Sequence, residues 1–279
     1  MLLFCCYTPA HEVLYRDIFR PSVPPGFRVC AQELAITGAG DFLSPEFLSC
    51  IRKKIDLVVR SIDENPGRLV VWSDVDIRFF RLSPGDLESA IESSRADILF
   101  QRESPRMSDV NTGFFVCRCG PTVREFFSKV RDQLGSSPGK NEQMVVNRLL
   151  QNEEFKMENA EWGRRKGGQT DRMGRIEAGA RVEMGEAEEI ENGHRGGGNP
   201  SISWDYLPGR FYARTQGWPP PLRLAIYHAN YTKGAAAIRQ KLAQFREIKT
   251  ISWGGMLAWA WSVIKRIPNK LFSKATTFS

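Results

Sequence analysis

Asp74 and Asp76 follow an apolar run in "LVVWSDVDIRFF" (69–80), one residue apart. His228 follows a second apolar run in "AIYHANYTKG", with Lys233 and Gly234 just beyond it. An uncompensated carboxylate in an apolar interior is costly, so acids placed there need a partner. Extended-chain alternation sends Asp74 and Asp76 to one side, with Val75 opposite. Two hard oxygen donors at the end of a parallel strand sit where open α/β sheets place ligands. They suit Mg²⁺ or Mn²⁺, which keep positions open for phosphate oxygens. A histidine completes such a shell, a lysine neutralises a diphosphate, and a glycine admits close backbone approach. The bland alternatives are a pair of solvated acids and a hydrogen-bonded structural histidine.

The elements that would position these residues are legible from spacing. Residues 2–7 and "FRVCAQEL" read as strands, with a short amphipathic helix over 11–20 between them. In "LSPEFLSCIRKKIDLVVRSIDENPG", Ser44 is a good N-cap and Pro45 an N1 residue, and Phe47, Ile51, Ile55, Val58 and Val59 recur at helical spacing. Strand 69–73 leads into the acidic pair. A capped helix in "SPGDLESAIESS" precedes strands in "ADILFQRE" and "DVNTGFFVCRC". Helices follow in "PTVREFFSKVRDQLG" and in "NEQMVVNRLLQN", the latter with Met144, Val145 and Leu149 inward. Strands alternating with helices at this spacing predict an α/β/α sandwich around a mixed, mostly parallel sheet.

Residues 163–200 break that pattern, with ten glycines, seven acids, seven bases and no aromatic. Such a composition predicts a disordered insertion. The ordered domain is therefore expected over 1–162 and 201–249. Residues 250–279 form an amphipathic basic tail: about fourteen mostly apolar residues with three tryptophans, then Lys and Arg. That run is short for a span; an interfacial helix over 250–274 fits its aromatics and charge, and a helix packed on the domain fits the same run equally.

The net charge of +7 belongs largely to this end of the chain, where nine Lys/Arg stand against Glu247 from Lys233 onward. The preceding body is close to neutral, which argues against nucleic acid as a partner. Six cysteines without a C-x-x-C pair read as reduced thiols rather than a disulfide framework. The N-terminus has no basic n-region, so it reads neither as a signal peptide nor as a membrane span, and an upstream segment remains compatible with it. A cytoplasmic or membrane-associated location is expected, or the Golgi lumen where an upstream anchor exists.

"VVWSDVDIRFF", then "NTGFFV", "NEQMVVNRLL" and "HANYTKG", in that order, resembles the nucleotide-diphospho-sugar transferase family of GT-A-fold glycosyltransferases. The resemblance covers roughly 1–162 and 201–248, and implies a Rossmann-like GT-A domain that transfers sugar from a nucleotide-diphosphate donor. By that likeness Asp74, Asp76 and His228 would hold Mn²⁺ (or Mg²⁺) across the diphosphate of a UDP-sugar. Lys233 would contact the diphosphate, with Gly234 beside it. Tyr7 and Thr8 match where such folds meet base and ribose, and Lys54 would reach a phosphate. Asn111 and Thr112 would face the donor sugar. Glu142 and Gln143 match an acid–glutamine pair near sugar and acceptor, the acceptor being a glycan, protein or lipid. Retention of anomeric configuration is also implied.

Two rivals remain. A haloacid-dehalogenase-like phosphatase also places Asp-x-Asp after an apolar strand, but wants Thr or Val where Arg78 stands. A degenerate, sugar-nucleotide-binding module would be marked by loss of Asp74, Asp76 or His228, and all three are present.

Overall fold

The strand Leu69–Ser73 sends Val71 into one apolar layer and Val70 and Trp72 into the other. A strand reads this way when its sheet is covered on both faces. The computed structural model describes residues 1–36, 44–104, 107–136, 140–151, 202–214, 220–221, 223–230, 232, 234 and 236–249. The segments 163–200 and 250–279, and with them the insertion and the basic tail, lie outside the described residues, as does Lys233.

The six-stranded sheet comprises β1 (Leu2–Tyr7), β2 (Arg28–Glu33), β3 (Leu69–Ser73), β5 (Ile98–Arg102), β6 (Val110–Arg118) and β7 (Trp204–Tyr206). Its order is β2-β1-β3-β6-β5-β7. β1 runs parallel to β2 and β3, and β7 parallel to β5, whereas β6 is antiparallel to both β3 and β5. The sheet is thus mixed and mostly parallel, as the sequence pattern predicts. A smaller sheet, ordered β4-β9-β8, is made of β4 (Ile77–Phe79), β8 (Phe211–Ala213) and β9 (Ile226–His228).

Helices α1 (Pro45–Asp63), α3 (Pro121–Ser136) and α4 (Glu142–Gln151) cover one face. The other face is covered by the helical turns of Pro9–His11, Glu12–Leu14, Tyr15–Phe19 and Arg20–Ser22, by α2 (Pro84–Ser94) and by α5 (Ala237–Lys249). Helix starts follow their capping residues. Ser44 Oγ accepts from the Phe47 amide, and Ser83 and Asp86 form a reciprocal capping box. Met144 departs from the expected inward position: it is 49% exposed. Val145 with Leu149 and Val146 with Leu150 form the buried stripe of α4, and Met144 falls off its edge.

All six cysteines are free. Burial pushes the Cys5 thiol up to about 12 and that of Cys50 to about 11. A raised thiol contributes stability below its ordinary value near 9 and loses it above. The melting temperature is therefore expected to fall as pH rises from about 9 to 12 in differential scanning fluorimetry; a flat profile over that window would contradict it.

Candidate functional site

The acidic pair lies just beyond β3, in the turn that joins it to β4. Two backbone contacts fix this turn. The Asp74 amide donates to the Gly113 carbonyl on β6 at 2.7 Å, and the Asp76 carbonyl accepts from the Ala229 amide at 2.9 Å. Ile77 pairs with His228 across β4 and β9, which is how the far end of the chain returns to the acids. One ligand atom from each of Asp74, Asp76 and His228 lies within 4.8 Å of the others.

The arrangement of hydrogen bonds decides what this cluster can hold. Gln101 donates its Nε2 to the Phe211 carbonyl at 3.2 Å, so its Oε1 faces His228 Nδ1 at 2.9 Å. His228 therefore donates from Nδ1, and its Nε2 lone pair points at Asp76 Oδ1, 3.3 Å away. That Oδ1 is buried and has no hydrogen-bond partner. Two facing acceptors need a positive centre between them, and the third donor, Asp74, suits a metal ion rather than a single proton. The residues present fit a divalent cation.

Each carboxylate is also held by its own lysine. Lys54, buried on α1, reaches Asp74 at 2.8 Å and Glu142 Oε1 at 2.8 Å. Lys241, on α5, is paired with Asp76 Oδ2. Trp72 Nε1 donates to Asp74 Oδ1 at 3.1 Å. The Asp74 side chain is 34% exposed, so it is the acid that an incoming ligand can reach.

Electrostatics follow from these contacts. Burial acts to raise Asp76, but the Lys241 ammonium paired with it overcomes this and holds the carboxyl well below the usual range. Burial raises Asp74 above its ordinary value, with Asp76 and Glu142 adding to it against Lys54. Burial disfavours the Lys54 ammonium, yet Asp74 and Glu142 keep it charged far into the alkaline range. His11 is lowered by burial and by Lys241.

The other expected residues are placed as follows. Thr112 Oγ1 donates to Glu142 Oε1 at 3.2 Å, so Thr112, Glu142, Lys54 and Asp74 form one chain. Asn111 Nδ2 donates to Glu103, a buried carboxylate that also accepts from Gln143 Nε2 at 3.3 Å. Tyr7 ends β1 and stacks on Tyr15 with centroids 4.4 Å apart. The Thr8 hydroxyl is 2.9 Å from His11 Nδ1. Gly234 sits at φ +70° in the turn into α5, a conformation that favours glycine.

Gly113 has a role that its sequence context does not announce. A Cβ there would stand 2.4 Å from His228 Cε1 and 2.9 Å from Asn111 Oδ1. Gly113→Ala is therefore expected to displace the imidazole and weaken binding of a divalent cation at this cluster about 10–100-fold, the usual scale for disturbing a ligand's support. Calorimetry checks this, and wild-type affinity in the variant would refute it.

A family model described as nucleotide-diphospho-sugar transferase matches residues 28–188. No curated protein matches the chain. Among solved structures, the apo form of the glycosyltransferase GlyE of Streptococcus pneumoniae TIGR4 aligns at TM-score 0.47 and 10% identity, over 94% of this chain and 64% of that one. The chain thus spans just under two thirds of that structure. A glycosyltransferase involved in glycosylation of the major capsid of PBCV-1 aligns at TM-score 0.38 and 17% identity, over 52% and 72%. Apo mouse xyloside xylosyltransferase 1 aligns at TM-score 0.43 and 9% identity, over 82% and 97%.

Proposed function

The chain belongs to the nucleotide-diphospho-sugar transferase family, and we propose that it moves a sugar from a UDP-sugar to a glycan, protein or lipid acceptor, using Mn²⁺ or Mg²⁺. The observation that carries the metal reading is the pair of facing acceptors, His228 Nε2 and Asp76 Oδ1, with Asp74 beside them.

The roles follow from the contacts. Asp74, Asp76 and His228 hold the cation, and Gln101 fixes the His228 tautomer. When bound, the cation supplies charge neutralisation to the departing diphosphate. Lys54 keeps Asp74 aimed and ionised, and Glu142 with Thr112 keeps Lys54 in place. We thus read Glu142 as a positioning residue, acting through Lys54 rather than on the sugar. Asn111 and Gln143, both anchored on Glu103, supply amides for the hydroxyls of the donor sugar. Tyr7 and Thr8 line the base and ribose side and Gly234 the diphosphate side, and the family likeness assigns Lys233 to the diphosphate as well. Retention of configuration is carried over from the family likeness.

A donor panel tests this reading. UDP-glucose, UDP-galactose, UDP-xylose, UDP-arabinose and UDP-N-acetylglucosamine are incubated with the protein and Mn²⁺, and released UDP is measured. At least one donor is expected to be hydrolysed above background, with the rate returning to background in excess chelator. Chelator-insensitive hydrolysis would contradict the metal reading. Mn²⁺-dependent binding without turnover would instead mark a sugar-nucleotide-binding module.

No helix among the described residues is long and apolar enough to cross a membrane.

A further inference from the structure

Lys241 is not explained by any role above, although it touches the more buried of the two aspartates. Its ammonium pairs with Asp76 Oδ2, while Oδ1 is left to face His228. The helix that carries it is firmly seated. Phe245 and Ile248 of α5 are buried in the core, and Gln244, one turn from Lys241, donates to the Asn230 carbonyl at 3.2 Å. Lys241 is thus brought to Asp76 by a packed helix that is also tied to the segment following His228. Its side chain is only 16% exposed, so water screens its charge poorly.

Two consequences follow from one ammonium in this position. It fixes the rotation of the Asp76 carboxylate and so presents Oδ1 to the cation. It also places a positive charge within a carboxylate's width of that cation, which opposes binding of a bare metal ion. A nucleoside diphosphate reverses the second effect, because its negative charge is attracted by the metal and the lysine together.

We propose that Lys241 is a positioning residue that couples the two ligands, making the site weak for a bare divalent cation and strong for a cation that arrives with a nucleoside diphosphate. This rests on the metal reading of Asp74, Asp76 and His228. Lys54 adds charge of the same sign, but it is shared between Asp74 and Glu142 and is locked by both. Lys241 has Asp76 as its carboxylate partner, so its charge is the one that substitution removes with least disturbance.

Calorimetric titration of Mn²⁺, with and without saturating UDP, tests the proposal on the whole chain. Lys241→Gln keeps a hydrogen-bond donor near Asp76 and removes the charge. It is expected to bind bare Mn²⁺ about tenfold more tightly than wild type, and to lose about tenfold of the enhancement that UDP gives. Lys241→Arg is expected to keep the wild-type enhancement. Lys241→Met repeats the charge loss with a different side chain, so a folding defect in one variant leaves the other to decide. Unchanged or weaker bare-Mn²⁺ binding in the neutral variants would overturn the proposal. Wild-type protein that takes up no Mn²⁺ even with UDP would overturn the metal reading itself, and the two failures are distinct.

Discussion

Asp76→Asn is expected to lower Mn²⁺-dependent donor hydrolysis at least about 10³-fold, equivalent to about 4 kcal/mol of barrier. The asparagine keeps the shape of the side chain and removes its charge. Asp76 is the point at which His228 and Lys241 meet, one on each oxygen, so no other acid in the cluster can take its place. Asp74 is held by Lys54 and Trp72 on its own side. The folded carboxyl of Asp76 lies well below its ordinary value, so its contribution to stability is present above about pH 4 and is lost only as pH falls through the folded value. At neutral pH the variant therefore loses that contribution, and thermal melts are needed beside the rate to separate it from lost chemistry. A variant that melts cooperatively but retains more than about a tenth of the wild-type rate would remove Asp76 from the reaction.

Lys54→Met is expected to give the largest loss of stability, about 3–5 kcal/mol. Lys54 is the ammonium between Asp74 and Glu142, and its side chain is 5% exposed. Removing it leaves the buried Glu142 carboxylate facing the partly exposed Asp74 with no ammonium between them, and Asp76 a third nearby. For a domain of this size that loss corresponds to a melting temperature lower by roughly 10 °C. The double variant Lys54→Met, Glu142→Gln removes one of the stranded charges and is expected to recover part of the loss. A drop of less than about 3 °C in the single variant would mean that the pair is solvated rather than buried.

The fold was readable because its apolar runs are unambiguous. Val70, Val71 and Trp72 leave no doubt about a central strand, and Ser44-Pro45 marks a helix start at the residue where it occurs. Asp74, Asp76 and His228 stood out for the opposite reason: charged or polar types beside apolar runs are out of place, and the fold brings one ligand atom of each within 4.8 Å of the others. The pairing of β4 with β9 then brings them together through the Ile77–His228 pair.

The supporting residues carried no such signal. Gln101 is an ordinary amide in a strand, and only the fold shows that it holds the His228 tautomer. Gly113 stands in "NTGFFV" without marking a turn, since what forbids a side chain there is an imidazole more than a hundred residues later. Lys241 sits on a helix whose neighbouring charges, Arg239 and Arg246, read as a solvated face. The family likeness marks Lys54 for a phosphate, whereas it pairs with Asp74 and Glu142, and helical phase beside Arg52 and Lys53 does not show that inward turn. Pairings that depend on three-dimensional register rather than local pattern stay hidden in one sequence.

The most direct measurement is anomalous diffraction at the manganese edge from crystals grown with Mn²⁺ and UDP. One peak is predicted at the Asp74–Asp76–His228 cluster, adjoining Asp76 Oδ1 and His228 Nε2, with the diphosphate against its open side. UDP bound with no anomalous peak at that cluster, or with the peak elsewhere, would contradict the account.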